Sequence, residues 1–358
     1  MTVGVVAGDL LDAVAVVLEL ATVGAGVSVT LDDGGVPTGP VPVLISGPAG
    51  VAAAVVRLVD AGCTQIIAIH DAACAGPVGA MADALVRALG TGFAVACPAR
   101  PDRGYTLYQG HVFRRQSLLH GAAAGDQSSY VRLLALQSDG TAGLVPHATV
   151  RAGSDAIRTA VAAQRDQGRQ IAILDATDAE DLRAIAIAIA AQAAIIGSPA
   201  LAAAMVMDTA GQRVANLPAS QSVITGPACI LAAATGRTAA YQAGHARNHL
   251  PHTTLSAHTL AWALPLLGTT PLLITPPPGV PEPAAALAHL AQDLVRHGVR
   301  RLLVTGAATA QAVTAALGVT RLSPGPTLPW LQAEGAGPPI LLALTDGEWG
   351  GRTFFLDL

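Results

Sequence analysis

With 358 residues the chain is long enough for two domains, each burying its own core. All 20 basic residues are arginine, which excludes phosphate chemistry built on a lysine ammonium and leaves arginine, backbone N–H groups or a metal for that task. Net charge is −4, charged residues are 12% and aromatics 3%, a balance that disfavours a nucleic-acid surface and points to a small-molecule ligand.

A first strand, Val3-Gly4-Val5-Val6, runs into Ala7-Gly8-Asp9-Leu10-Leu11-Asp12-Ala13. Asp9 and Asp12 come early and no basic start precedes them, so a signal peptide is not expected and the protein reads as cytoplasmic. Further apolar, β-branched runs follow at Val43-Leu44-Ile45, Gln65–Ile69, Phe93–Ala96 and Ile171–Leu174, each leading through a turn into a helix-like segment. The most membrane-like stretch, Ala184–Met207, is cut by Gln192 and by Gly197-Ser198-Pro199, and is read as a buried amphipathic helix plus turn. No membrane span is expected.

A second series has strands at Ser222-Val223-Ile224, Leu272-Leu273-Ile274, Leu302-Leu303-Val304 and Ile340–Ala343, with helices at Pro281–Gly298 and Ala308–Leu317. The boundary falls in the polar, Pro-containing stretch Gly211–Ser220, giving domains 1–215 and 216–358; a weaker alternative lies at Gly140–Val150. The expected fold is α/β: two α/β domains with largely parallel sheets facing an interdomain cleft that takes the small molecule. Homo-oligomerisation is compatible with this plan. Cys63, Cys74, Cys97 and Cys229 form no CxxC pair and read as reduced, mostly buried thiols.

Ligands of open α/β sheets sit outside the carboxyl ends of the strands, so the loops there carry the functional argument. They are Ala7–Ala13, His70–Gly79, Cys97–Tyr105, Thr225-Gly226-Pro227, Gly306–Thr309 and Thr345–Gly351. In that order they resemble the four-carbon acid sugar kinase family, the ATP-dependent kinases of threonate, erythronate and 3-oxo-tetronate type acids. The family's opening Ala-Asp-Asp-Phe-Thr-Gly-Ala corresponds to Ala7–Ala13, where Asp9 keeps the second aspartate and Gly8 replaces the first. Its Lys-x-Asp-Ser-Thr-Leu-Arg-Gly loop corresponds to Ile69–Gly76, keeping Asp71 and Gly76, and is followed by Pro77-Val78-Gly79. Its Pro-Ala-Phe-Pro-x-x-Gly-Arg loop corresponds to Pro98–Tyr105, with Gly110 at a later family glycine. Asp175-Ala176, Asp181-Leu182 and Gly197-Ser198 match three further elements. The nucleotide motifs Ser-Gly-Ser, Gly-Gly-Asp-Thr and Lys-Ser-Gly-x-Phe-Gly correspond to Thr225–Pro227, Gly306–Thr309 and Thr345–Gly350.

The resemblance implies a sugar-acid-binding-like N-terminal domain, a nucleotide-binding-like C-terminal domain, and ATP with Mg²⁺ where the family activity is retained. It marks Asp9 and Asp71 as catalytic carboxylates, Gly76 for substrate, and Thr225, Gly226, Gly306, Thr309, Gly347 and Gly350 for nucleotide; the family arginines fall at Ala75 and Tyr105, and Arg100 or Arg103 close by is the substitute for holding the substrate. Each has a plainer reading. Asp9 and Asp71 suit helix caps, the cap being favoured at Asp71; Asp12 suits a first helical turn. Arg100 and Arg103 suit a solvated loop, and the glycines suit turns. The lost family lysine, serine, threonine and arginine, with Ala308, Asp346 and Glu348 in the nucleotide motifs, leave open a second reading: a relative that binds a small ligand or a protein without phosphoryl transfer. His245 and His249 have a spacing that can share a metal, with His252 and His258 nearby, but no clustered carboxylate accompanies them and no metal site is assigned. His70 beside Asp71 reads as a core or surface histidine, or as an acid–base group.

Overall fold

The computed structural model describes residues 2–31, 35–37, 39–70, 76–119, 128–210, 224–268, 270–277, 283–335 and 337–357, with the side chains of 208–210 excepted. Two compact units result: unit 1, Met1–Val29 with Gly34–Leu217, and unit 2, Thr30–Asp33 with Pro218–Leu358. The expected boundary at 211–220 lies outside the described residues.

In chain order unit 1 carries β1 (Val3–Ala7), α1 (Leu10–Thr22), β2 (Val27–Thr30), β3 (Val41–Ile45), α2 (Val51–Asp60), β4 (Gln65–Ile69), α3 (Val78–Leu89), β5 (Ala94–Cys97), β6 (Tyr105–Tyr108), β7 (His111–Arg114), β8 (Ser117–Leu118), α4 (Tyr130–Gln137), β9 (Ala142–Val145), α5 (His147–Arg151), α6 (Ser154–Asp166), β10 (Ile171–Leu174), α7 (Ala179–Ala188), β11 (Ala194–Gly197) and α8 (Pro199–Ala210). Its main sheet is parallel throughout, in the order β2-β3-β1-β4-β11-β5-β10-β9, while β6, β7 and β8 form a small antiparallel sheet. β1, β4, β5, β10 and β11 are buried along their whole length, as strands covered by helices on both faces must be.

One expectation is corrected here. Within the Ala184–Met207 run, read as helix plus turn, Ala194–Gly197 is β11, hydrogen-bonded between β4 and β5 in the middle of the sheet. A short, continuous apolar run is the signature of a strand buried on both faces as much as of a buried helix. No described helix is long and apolar enough to cross a membrane.

Unit 2 carries β12 (Ala228–Ala232), α9 (Arg237–Ala246), β13 (His252–Thr254), α10 (Thr259–Ala263), β14 (Leu272–Thr275), α11 (Ala284–Arg296), β15 (Arg301–Thr305), α12 (Ala307–Ala316), β16 (Val319–Pro324), β17 (Leu331–Gly335) and β18 (Ile340–Thr345). Strands β13-β14-β12-β15-β18 are parallel neighbours, and β17 and β16 add an antiparallel edge. The first strand lies later than expected: Ser222 and Val223 fall outside the described residues, Ile224 is irregular, and the strand is Ala228–Ala232.

Candidate functional site

In each unit the chain leaves a central strand to one side and later returns on its other side. β1 lies between β3 and β4, and β12 between β14 and β15. The carboxyl ends of β1 and β12 are therefore the switch points at which open sheets form their crevices.

At the β1 switch point Asp9 caps α1: its Oδ1 accepts the Asp12 N–H at 2.9 Å, and its residue is exposed. Asp71 lies outside the described residues. Gly76, with φ +101°, enters α3 and accepts from Val78 N through its carbonyl. His70, at the end of β4, is a core residue whose Nδ1 lies 3.3 Å from the Tyr130 hydroxyl.

Arg100 is not on a solvated loop. It is 8% exposed, with Nη2 at 3.7 Å from Glu19 and 3.4 Å from Asp102, while Arg103 Nε lies 3.7 Å from the same Asp102. Burial raises the Glu19 carboxyl above its ordinary pKa, aided by the Asp102 charge and opposed by Arg100 and Arg103. The two arginines are thus engaged with α1 and with their own turn.

A buried carboxylate organises the opposite part of this edge. Asp175, directly after β10, is fully buried and accepts the Gln109, Gly110 and His147 N–H groups at 2.7, 2.9 and 3.0 Å. Burial lifts its pKa, and those three donors and the His147 charge oppose the lift. Gln109 holds φ +52° in the β6–β7 turn, so one carboxylate pins a strained turn and the start of α5 together. Nearby, Asp181 receives the Thr177 N–H and hydroxyl at 2.8 and 2.9 Å, His147 Nε2 at 3.0 Å and Arg151 at 3.2 Å. Burial alone would raise Asp181; the donors outweigh it and hold the carboxyl below its ordinary value. Both aspartates stand in segments that match family elements, yet sequence reasoning gave neither a role.

In unit 2 a cavity of about 350 Å³ opens at the carboxyl ends of β12, β14, β15 and β18. Its walls are Ala233–Gly236, Pro276, Pro283, Gly306–Thr309 and Asp346. Gly306 (φ +98°) is the N-cap of α12, whose first-turn N–H groups have no partner within the helix. A Cβ at Gly306 would come 3.4 Å from the Ala234 nitrogen. Gly347 (φ +89°) packs tighter: a Cβ would sit 2.5 Å from Ala234 Cβ and 2.9 Å from Ala239 Cβ. Small residues, free helical amides and close backbone approach suit a phosphate-bearing ligand.

Of the residues expected to bind nucleotide, Gly306 and Thr309 line this cavity and Gly347 supports it. Gly350 packs against Phe354 instead, and its carbonyl accepts from Gln242 Nε2 at 3.2 Å. Thr225 and Gly226 precede β12, at the wrong end of the strand: Gly226 O accepts from Arg301, at the start of β15. The loop actually in place is Ala233-Ala234-Thr235-Gly236, which carries no polar motif that sequence reading would find. Among the described residues no group of three or more His, Cys, Asp and Glu converges as a metal site. The His245 and His249 rings meet edge to face with centroids 4.8 Å apart, and His245 Nδ1 accepts from Arg352 at 3.1 Å. Loss of hydration, the Arg352 charge and His249 together lower the His245 pKa.

An α/β protein with a glycine- and alanine-lined cavity at a switch point is the class that fold and geometry define. A family model described as a sugar-binding N-terminal domain matches residues 48–205. The 3-oxo-tetronate kinase of Pseudomonas fluorescens Pf-5 is 31% identical over 347 residues, covering 85% of this chain and 80% of its own length. That of Methylobacterium radiotolerans is 31% identical over 333 residues, covering 81% and 78%. A crystal structure from Salmonella typhimurium LT2, solved under the name of a tRNA synthase, has TM-score 0.83 at 25% identity and covers 99% of this chain and 98% of that one. The chain belongs to the four-carbon acid sugar kinase family.

Proposed function

We propose that the protein transfers the γ-phosphoryl group of ATP to a hydroxyl of a small four-carbon sugar acid, with the nucleotide in the unit 2 cavity. The observation that carries this reading is that cavity: loops from four parallel strands, small side chains at most of the described lining positions, and the amides of α12 at its wall. Donors of this kind hold phosphates through the backbone, as a chain without lysine requires. Mg²⁺ travels with such nucleotides and neutralises charge on their phosphates; Asp346 is the carboxylate at the cavity that suits it. The acceptor belongs at the carboxyl end of β1, where the exposed Asp9 is the carboxylate for the hydroxyl proton; Asp71, outside the described residues, stands as a second candidate on the family motif alone. The names of the relatives, 3-oxo-tetronate kinases, supply the substrate class.

The engagement of Arg100 and Arg103 with Glu19 and Asp102 favours a second reading, in which the chain binds a small ligand or a partner without phosphoryl transfer. Calorimetric titration of the whole chain with ADP and Mg²⁺ separates them at the first step. Saturable binding that Gly306→Val and Gly347→Val abolish supports the kinase reading; absence of binding to the folded wild type removes it.

A further inference from the structure

Of the five parallel strands of unit 2, four end on threonine: Thr254 in β13, Thr275 in β14, Thr305 in β15 and Thr345 in β18. Threonine suits strands in general, so composition alone decides nothing. What sets Thr305 and Thr345 apart is where their hydroxyls go. Both are buried, both directly precede a cavity residue (Gly306 and Asp346), and they are Cα partners across β15 and β18.

Thr305 Oγ1 accepts the Ala234 N–H at 3.0 Å, a bond from the end of β15 to the loop that follows its neighbour β12. Thr345 Oγ1 accepts the Gly347 N–H at 3.1 Å and donates to Asp346 Oδ1 at 3.3 Å, so its one hydrogen and one lone pair are both in use within the turn. The Thr345 carbonyl takes the Gly306 N–H at 2.8 Å. These contacts converge on Ala234. A Cβ added at Gly306 would come 3.4 Å from the Ala234 nitrogen, and one at Gly347 would come 2.5 Å from the Ala234 Cβ, so this alanine packs against both glycines.

The wall Ala233-Ala234-Thr235-Gly236 has no long side chain to anchor it. A loop of small residues lets a ligand approach the backbone closely, but it also has much conformational freedom to lose. Affinity rises when that freedom is removed before the ligand arrives. Resting on the nucleotide reading above, we infer that Thr305 and Thr345 are positioning residues of this site. Their hydroxyls hold the Ala233–Gly236 and Asp346–Gly347 walls in place around the amides of α12. They act through Ala234 and Gly347 rather than on the nucleotide.

The test is calorimetric titration of the whole chain with ADP and Mg²⁺, at a temperature where circular dichroism shows each variant folded, so that lost global stability does not itself lower affinity. Thr305→Val and Thr345→Val keep the branched shape and remove the acceptor, and each is expected to weaken ADP binding about tenfold or more. Thr305→Ser and Thr345→Ser keep the hydroxyl and are expected to bind within about threefold of wild type. Thr314→Val is the control: Thr314 is also buried, but its hydroxyl donates to the Ala310 carbonyl inside α12, so its loss costs stability and leaves affinity unchanged. Amide hydrogen exchange reads the same device without ligand. The Ala234 amide is expected to exchange faster in Thr305→Val and the Gly347 amide in Thr345→Val, while both stay protected in Thr314→Val. Where a valine variant does not fold, the alanine variant at that position takes its place with the same expectation. Valine variants that bind as wild type, serine variants as weak as the valine ones, or an equal loss in Thr314→Val each overturn the inference while the nucleotide reading stands. Absence of ADP binding by the folded wild type overturns both.

Discussion

Replacing Asp175 by alanine removes the acceptor of three backbone N–H groups at once. The bond from Gly110 is buried, so its donor is orphaned outright at about 1–3 kcal/mol. The Gln109 and His147 donors are part-buried and reach water when the turn loosens, adding roughly 0.5–1 kcal/mol each. The carboxylate's own burial penalty, evident in its raised pKa, is relieved by the same change and trims the total. The expected loss is about 2–4 kcal/mol in unit 1. Trp262, Trp330 and Trp349 all lie in unit 2, so tryptophan fluorescence does not report on unit 1 directly; far-UV circular dichroism in urea, with amide hydrogen exchange, does. The amides of Gln109, Gly110 and His147 are expected to exchange much faster in the variant. A variant within about 0.5 kcal/mol of wild type, with those amides still protected, would refute the clamp.

Other expectations follow from the same geometry. Gly347→Val places a branched side chain at φ +89° against Ala234 and Ala239, and costs about 2–4 kcal/mol in unit 2, measured by tryptophan fluorescence in urea. Asp181 has a depressed pKa, so the stability it contributes is full above its ordinary value of 3.8 and is lost as pH falls through the folded-state value. The stability gap between wild type and Asp181→Asn is therefore expected to narrow on acidification below about pH 4, in urea titrations across that range; a constant gap contradicts it. Burial pushes the Cys97 and Cys229 thiols up to about 12, so mass spectrometry should find both unmodified after iodoacetamide treatment of the native protein at neutral pH.

What could be read from the residues follows the physics of local pattern. Gln65–Ile69 and Ile171–Leu174 are strands at those bounds because β-branched runs between turns have few other uses in an α/β chain. Ala194–Gly197 escaped because a strand covered on both faces has the composition of a buried helix. The displaced β12 has a larger consequence. Its residues, Ala228–Ala232, carry weak β signal, so the sequence points to Thr225-Gly226-Pro227 as the loop at the strand's carboxyl end, where the fold has Ala233–Gly236. Arg100 and Asp175 were out of reach for another reason. Glu19, Gln109 and Gly110 reach them only through the fold, and a single sequence does not show which distant backbone group meets which carboxylate.

Phosphoryl transfer itself is tested by following the γ-phosphate. Purified whole chain, with Mg²⁺ and γ-labelled ATP, is incubated with 3-oxo-tetronate, threonate and erythronate in turn. Label is expected to move to at least one acid, with transfer abolished in Gly347→Val and reduced in Asp9→Asn. ADP binding without transfer to any of these acids would contradict it and favour a ligand-binding relative of the kinases.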